Sequence, residues 1–238
     1  FKVDGNGILK GQSGAKVFNN NGSLVEPTYD ENGNITSAVY DYWAKNIETA
    51  VANSDELTVG SRKFAARGGA WSQLLLGTKV DNSAKRKLLT NRKAIGSGNS
   101  ITFGGGGALR QVQLADLTDT PYKNDVNKGY LISLLGYNLD VTNPPVSIEN
   151  LLAQKPLRQV GAVMHSYPVL VTNKGKLSYN KANKAMESTG REDYILFGTT
   201  QGLLHVVDAE TGEEKFAFVP NEMVENQKNA FRESTVTN

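Results

Sequence analysis

Residues 194–219, YILFGTTQGLLHVVDAETGEEKFAFV, contain the pattern that decides the fold. Two polar segments that contain glycine separate three short apolar or alternating runs, which are residues 194–198, 203–207 and 215–219. Short runs of this kind, bounded by turn residues, are typical of β-strands. The stretch therefore predicts three strands of one antiparallel sheet.

Five residues of this stretch form the motif of the predicted sheet, namely Gly202, His205, Asp208, Gly212 and Phe216. Asp208 can accept hydrogen bonds from backbone amides of the turn that follows it. Gly212 supplies the left-handed backbone conformation that closes this turn. Phe216 is expected to return an aromatic ring toward the core.

The sequence around these residues resembles that of a known protein family. Residues 202–220 resemble a blade of the C-terminal β-propeller in the PilC/PilY family of type IV pilus tip-associated proteins. Residues 157–169 are similar to a second segment of that propeller, with Ala162 where aspartate is usual. Residues 71–74 and 85–90 are similar to the segment that opens it. The three similar segments follow one another in the family's order.

The resemblance implies a mainly β fold, a partial β-propeller with quinoprotein-like blades and helical insertions. Residues 1–63 are expected to form a hairpin and helix that precede or flank the propeller. Residues 64–238 are then its first part, with a helical insertion at about residues 108–155. A blade takes about 40 to 50 residues and a propeller has at least four blades, so the chain is expected to be a fragment. Its start at Phe1 fits that expectation.

The function that the resemblance implies is that of a pilus biogenesis factor and adhesin without catalytic activity. Its expected partners are minor pilins of the pilus tip complex and surfaces or host cells. It is expected to be exported through the periplasm to the pilus tip at the cell surface. No cofactor is expected in this segment, and calcium is a candidate only elsewhere in the intact protein. The helical insertion and a basic stretch are the predicted contact surfaces, because recognition is often built on loops of a rigid scaffold.

Three other functions are considered. Two of them are suggested by specific residues, and the third is that of an intracellular scaffold propeller. The spacing of Asp208, Gly212 and Phe216 is also similar to the tryptophan-docking repeat of quinoprotein dehydrogenases. That motif occurs once here, with Phe216 in place of tryptophan, and the chain has no cysteine. The other alternative is a pilus component associated with DNA uptake, which binds polyanions.

A cluster of basic residues motivates the DNA alternative: Lys79, Lys85, Arg86, Lys87, Arg92 and Lys93. Charges at alternating strand positions more often form a solvated face than a track for polyanions. The net charge of +2 does not distinguish the two interpretations. We therefore favour the solvated face and keep DNA as a weaker candidate partner.

Oxygen-bearing side chains occur at the spacing of a calcium loop, at Asp30, Asn32, Asn34, Thr36 and Asp41. Ile35 occupies the position where the sharp turn of such a loop needs glycine, and Asp41 is shorter than the usual bidentate glutamate. A hairpin turn is therefore the favoured interpretation.

The chain has two histidines and four consecutive glycines, at residues 104–107. His205 shares a strand face with apolar neighbours, which predicts a packed, hydrogen-bonded residue. His165 and Ser166 lack a nucleophile elbow, so hydrolysis is disfavoured. The glycines are not followed by the lysine of a phosphate loop, which disfavours a nucleotide site.

Periodicity and turn residues predict the remaining elements. Helices are predicted at residues 41–53, 124–137, 146–154 and 220–231, with caps at Asp41 and Ser147. Strands are predicted at residues 23–29, 35–40, 64–79, 86–90 and 163–172, with a short one between residues 95 and 107. No apolar run of membrane length occurs.

Overall fold

The computed structural model describes residues 2–10, 16–21, 25, 31, 69–74, 81–119, 121–154, 156–157 and 160–234. It divides into two compact units, Phe1–Leu74 with Glu210–Glu213, and Leu75–Ala209 with Glu214–Asn238. Several predictions lie outside the described residues: the calcium-loop residues Asp30, Asn32, Asn34, Thr36 and Asp41, the helix at 41–53, Lys79, and, except for Val25, the hairpin strands at 23–29 and 35–40.

The first unit contains a small hairpin and a short helix. Strand β1 (Lys2–Val3) pairs antiparallel with β2 (Leu9–Lys10). The Asp4 carboxylate accepts hydrogen bonds from the backbone amides of Asn6 and Ile8, at 2.9 and 3.0 Å, and so fixes the turn. Helix α1 (Gly69–Gln73) lies inside the strand predicted at residues 64–79. That prediction is wrong for these five residues, whose apolar side chains do not alternate.

The second unit is organised around a six-stranded sheet. Its strands are β3 (Leu88–Thr90), β6 (Arg110–Gln111), β7 (Val169–Asn180), β8 (Ala185–Gly198), β9 (Leu204–Asp208) and β10 (Glu214–Val219). Their order across the sheet is β6-β3-β10-β9-β8-β7. The last four strands form an antiparallel meander in chain order, as predicted. The mainly β fold class is therefore confirmed.

Two pairings go beyond the predicted four-stranded unit. Strand β3 pairs parallel with β10, and β6 pairs antiparallel with β3. The glycine-rich segment after β3 contains a separate hairpin, formed by β4 (Lys93–Ile95) and β5 (Thr102–Gly104). The sequence predicted one short strand there. The structure has two.

The described α-helices of the second unit lie where they were predicted, and the two between residues 108 and 155 are shorter than predicted. Helix α2 (Lys128–Ser133) and helix α3 (Ile148–Leu152) lie inside the predicted ranges. The Ser147 hydroxyl accepts a hydrogen bond from the amide of Asn150 at 3.2 Å, which confirms the predicted cap. Helix α4 (Asn221–Ser234) follows Pro220 as expected. None of the described helices is long and apolar enough to cross a membrane.

The segment predicted as a helical insertion supplies most of the core of the second unit. Ten of the sixteen residues of the main buried cluster lie between residues 108 and 155, where two 3₁₀ helices, Leu114–Leu117 and Tyr122–Asn124, precede α2 and α3. Leu88, Ala217 and Val219 contribute to the same cluster from the sheet. The segment is therefore an integral part of the core of the second unit.

Phe216 does not enter this core, so that prediction is wrong. The register of β10 against β9 shifts between Glu214 and Phe216, and Phe216 then pairs with Val206. Side chains alternate along the strand, so Ala217 and Val219 occupy the core face and Phe216 the opposite face. Phe216 is only half-buried there.

Candidate functional site

His205 is at the centre of a buried polar cluster. Its side chain is 1% exposed, and its ring stacks on that of Phe197 with centroids 5.1 Å apart. The Nδ1 atom lies 2.6 Å from Oε2 of Glu214 and donates to it, because a carboxylate only accepts. Oγ1 of Thr199 lies 3.2 Å from Nε2. The predicted packed and hydrogen-bonded histidine is confirmed.

Arg86 completes the cluster by binding Glu214 with two hydrogen bonds. Nε donates to Oε1 at 2.7 Å and Nη2 to Oε2 at 3.0 Å, while Nη1 donates to the Leu134 carbonyl at 2.8 Å. Burial raises the pKa of Glu214, but the Arg86 charge and the hydrogen bonds from His205 and Arg86 outweigh it and hold that pKa below its usual range. Glu214 is therefore a buried carboxylate stabilised by a cation.

The order hydroxyl, imidazole, carboxylate in Thr199, His205 and Glu214 is that of an activated nucleophile. The ring nitrogens of His205 contact the hydroxyl and the carboxylate on either side, and the ring is almost fully buried. The carboxylate is also neutralised by Arg86. The cluster therefore joins β9, β10 and the segment before β3 within the second unit.

A second buried cluster surrounds Arg92. Its guanidinium binds Asp125 with two hydrogen bonds, at 2.6 and 2.7 Å, and also donates to Asn221 and Glu225. Burial lowers the pKa of Arg92, but the hydrogen bond and charge of Asp125 and those of Glu225 outweigh this and raise it. Arg92 therefore joins the end of β3, the segment before α2 and helix α4.

These contacts correct the proposed polyanion surface. Arg86 and Arg92 are 5% and 2% exposed and their guanidinium groups are bound to carboxylates, so neither can contact a polyanion. Lys87 and Lys93 are exposed and Lys85 is half-buried. The sequence could not separate the two arginines from the lysines, because their carboxylate partners lie 33 to 133 residues away.

The remaining residues singled out in the sequence have defined backbone conformations or side-chain contacts. Gly202 and Gly212 have positive φ, 77° and 76°, which only glycine adopts readily. The Asp208 carboxylate forms an ion pair with Lys215 at 3.1 Å. The Ser166 hydroxyl accepts a hydrogen bond from the Gly198 amide at 2.8 Å, so this side chain binds the end of β8. The neighbouring His165 is exposed and has a φ of 56°.

The feature that sequence reasoning missed is the length of the β7–β8 hairpin. Only residues 194–198 of β8 pair with β9, so residues 172–193 form a two-stranded ribbon, here called the outer arm. Its side chains are mostly exposed, and Arg191 and Lys174 form ion pairs with Asp193 and Glu192 across or along it. The alternation was hard to recognise because the register shifts twice between Thr172 and Lys176.

No group of three or more histidine or carboxylate side chains within the described ranges could hold a metal ion. Comparison of the chain with protein-family models, with curated protein sequences and with solved structures found no match. The functional interpretation therefore rests on the site geometry and on the resemblance of the motifs.

Proposed function

We propose that the chain is part of the propeller domain of a type IV pilus tip-associated protein of the PilC/PilY type. In this proposal it is a binding and assembly module without catalytic activity, exported to the pilus tip, where it contacts minor pilins and surfaces or host cells. One observation supports it most. The residues that carry the resemblance, 202–220, form β9 and β10, the last two strands of a four-stranded antiparallel meander, which is the arrangement of a propeller blade.

The buried clusters support a scaffold role. His205 and Glu214 belong to the motif region, and they stabilise the packing of the sheet. The exposed outer arm is the described element most suited to recognition, since it extends from a rigid sheet. The burial of Arg86 and Arg92 removes two of the six residues that motivated the DNA-uptake alternative.

Deletion of the gene in its piliated bacterial host tests the proposal. We expect fewer surface pili by electron microscopy, weaker adhesion to cells, and recovery of both on complementation with the intact gene. The protein should also be detected by immunoblotting in pili sheared from the complemented strain. Unchanged pilus number and adhesion in the deletion strain, or quinone-dependent dye reduction by the purified full-length protein, contradicts it.

A further inference from the structure

Strand β7 is the last strand of the six-stranded sheet, and one of its edges has no neighbouring strand among the residues that the structure describes. Residues Val169, Leu170, Val171 and Thr172 pair with residues 193–196 of β8 on one side only. On the other side, within the described chain, no backbone group of these four residues has a partner. This edge offers backbone donors and acceptors in the geometry that an additional strand needs.

The composition of the edge makes it unusual for a sheet exposed to water. Val169, Leu170 and Val171 are 54%, 60% and 41% exposed, and the four-residue run carries no charge. Proteins normally protect such edges with lysines or β-bulges. In β7 both devices begin only after Thr172, where the register shifts twice and Lys174 and Lys176 follow. Within the part of the chain that the structure describes, residues 169–172 therefore have neither protecting device.

Exposed apolar side chains are concentrated around this edge. Nine of the seventeen large apolar side chains that are exposed among the described residues lie between residues 163 and 186, which is far more than an even distribution gives. They are Val163, Met164, Tyr167, Val169, Leu170, Val171, Leu177, Tyr179 and Met186. A concentration of exposed apolar side chains in one hairpin is typical of a protein interaction site.

The charge of the neighbouring arm indicates what kind of partner fits. Residues 169–198 contain five cationic and three anionic side chains. Lys174 and Arg191 are paired with Glu192 and Asp193, whereas Lys176, Lys181 and Lys184 form no ion pair in the described structure. The open edge is therefore followed by three lysines that are available to carboxylates of a partner.

We propose that residues 169–172 are a strand-addition site for an extended segment of a partner protein. That segment carries apolar or β-branched residues where it pairs with the edge and acidic residues where it reaches Lys176, Lys181 and Lys184. Backbone hydrogen bonds hold the segment, and the carboxylates select it. The inference stands on the edge geometry and does not depend on the pilus proposal.

A second copy of the chain fits less well. In antiparallel pairing of two copies centred on Leu170 and Val171, the lysines of one copy face the residues that precede β7 in the other. Residues 160–168, VGAVMHSYP, contain no carboxylate. A second copy therefore supplies backbone pairing without partners for the lysines.

The test measures binding of three fluorescein-labelled synthetic peptides to the unmodified 238-residue chain. The first has alternating valine and threonine between terminal glutamates, the second has lysines instead of the glutamates, and the third is the first with its central valine replaced by proline. We expect saturable binding of the acidic peptide. Binding of the lysine peptide should be several-fold weaker and that of the proline peptide about tenfold weaker, because proline removes a ladder hydrogen bond. Amide hydrogen exchange at residues 169–172 should slow on binding.

Two sets of variants make the test specific. V169K/V171K places charge on the edge and should lose binding of the acidic peptide, whereas V126K, at a strongly exposed valine elsewhere, should bind like the wild type. K176E/K181E/K184E changes only exposed side chains and should reverse the preference between the acidic and the lysine peptide. Circular dichroism checks that each variant is folded.

Three results overturn the proposal. They are equal binding of the acidic peptide by V169K/V171K and the wild type, binding without slower exchange at residues 169–172, and an unchanged peptide preference in the lysine variant. Concentration-dependent dimerisation of the wild type that V169K/V171K abolishes, with no peptide binding, assigns the edge to a second copy and also overturns it.

Discussion

Arg92 and Asp125 form a two-fold hydrogen-bonded ion pair in which both side chains are 1% exposed. Their residues lie 33 positions apart, and the pair joins the end of β3 to the segment before α2. Asp125 also accepts a hydrogen bond from the Asn127 amide at 3.0 Å, which fixes the backbone where α2 begins. The interaction thus orders the segment that supplies most of the core.

Removing one member of this pair should strongly destabilise the second unit. We expect Asp125→Asn to lower the free energy of unfolding by about 3 to 5 kcal/mol, because Arg92 is left buried with an incomplete set of carboxylate partners. Urea unfolding followed by circular dichroism measures the change. The matched control is Glu192→Gln, whose exposed pair with Lys174 should contribute far less to the free energy of unfolding, because solvent screens it. Equal effects of the two substitutions contradict this account of Arg92.

Loss of the hydroxyl should change the free energy of unfolding differently at two buried tyrosines, Tyr130 and Tyr137. The Tyr130 hydroxyl donates to the Gln201 carbonyl at 2.8 Å, whereas the buried Tyr137 hydroxyl has no hydrogen-bond partner among the described residues. We expect Tyr130→Phe to cost about 1 kcal/mol of unfolding free energy and Tyr137→Phe to be neutral or slightly stabilising. Burial also raises the pKa of Tyr137 to about 12. Thermal unfolding of the two variants compares them directly, and a larger loss for Tyr137→Phe rejects this prediction.

Glu214 should make stability depend on pH in the acidic range. Its pKa is lower in the folded chain than the usual 4.5, so the folded state favours the ionised form. The stabilisation is present above the unfolded pKa and is lost as the pH falls through the folded pKa. We therefore expect the free energy of unfolding to decrease as the pH falls below about 4.5, and this part of the slope to be absent in Glu214→Gln. Urea titrations at a series of pH values measure it, and an unchanged slope in the variant contradicts it.

Gly129 should tolerate no side chain, although it lies in a helix. A Cβ at this position would overlap the carbonyl group of Val141. Helix propensity alone predicts that alanine stabilises by about 1 kcal/mol, but the overlap should make Gly129→Ala destabilising by about 1 to 3 kcal/mol. Gly5→Ala is the control, since nothing lies within 4 Å of its added Cβ. Chemical denaturation of both variants decides the sign, and stabilisation by Gly129→Ala excludes the overlap.

Local patterns predicted the elements whose signals lie within a few residues. The strands β9 and β10, the Ser147 cap and the start of α4 after Pro220 follow from alternation, a capping side chain and a helix-starting proline. Packing of His205 also followed from its place on an apolar strand face. Each of these depends on neighbours in the chain, which a single sequence displays.

The predictions were wrong or incomplete for features that local patterns do not determine. The strand predicted across residues 69–73 is helix α1. Phe216 lies opposite the core because Ala217 and Val219 occupy the core face, and alternation alone does not say which face of a strand is buried. The two register shifts of β7 likewise concealed the length of the outer arm. Pairing register depends on both strands at once, so it is not contained in the pattern of either one.

The sequence by itself determined that this protein is mainly β, that residues 194–219 form consecutive antiparallel strands, and that Ser147 caps a helix, because those features depend on local hydrogen bonding and side-chain alternation. Only the tertiary structure decided that Arg86 and Arg92 are buried ion-pair partners, that residues 108–155 contribute most of the core, and that residues 169–172 pair on one side only among the described residues. The physical reason is that burial and the charge around a side chain depend on groups distant in the chain, which only the folded packing brings together.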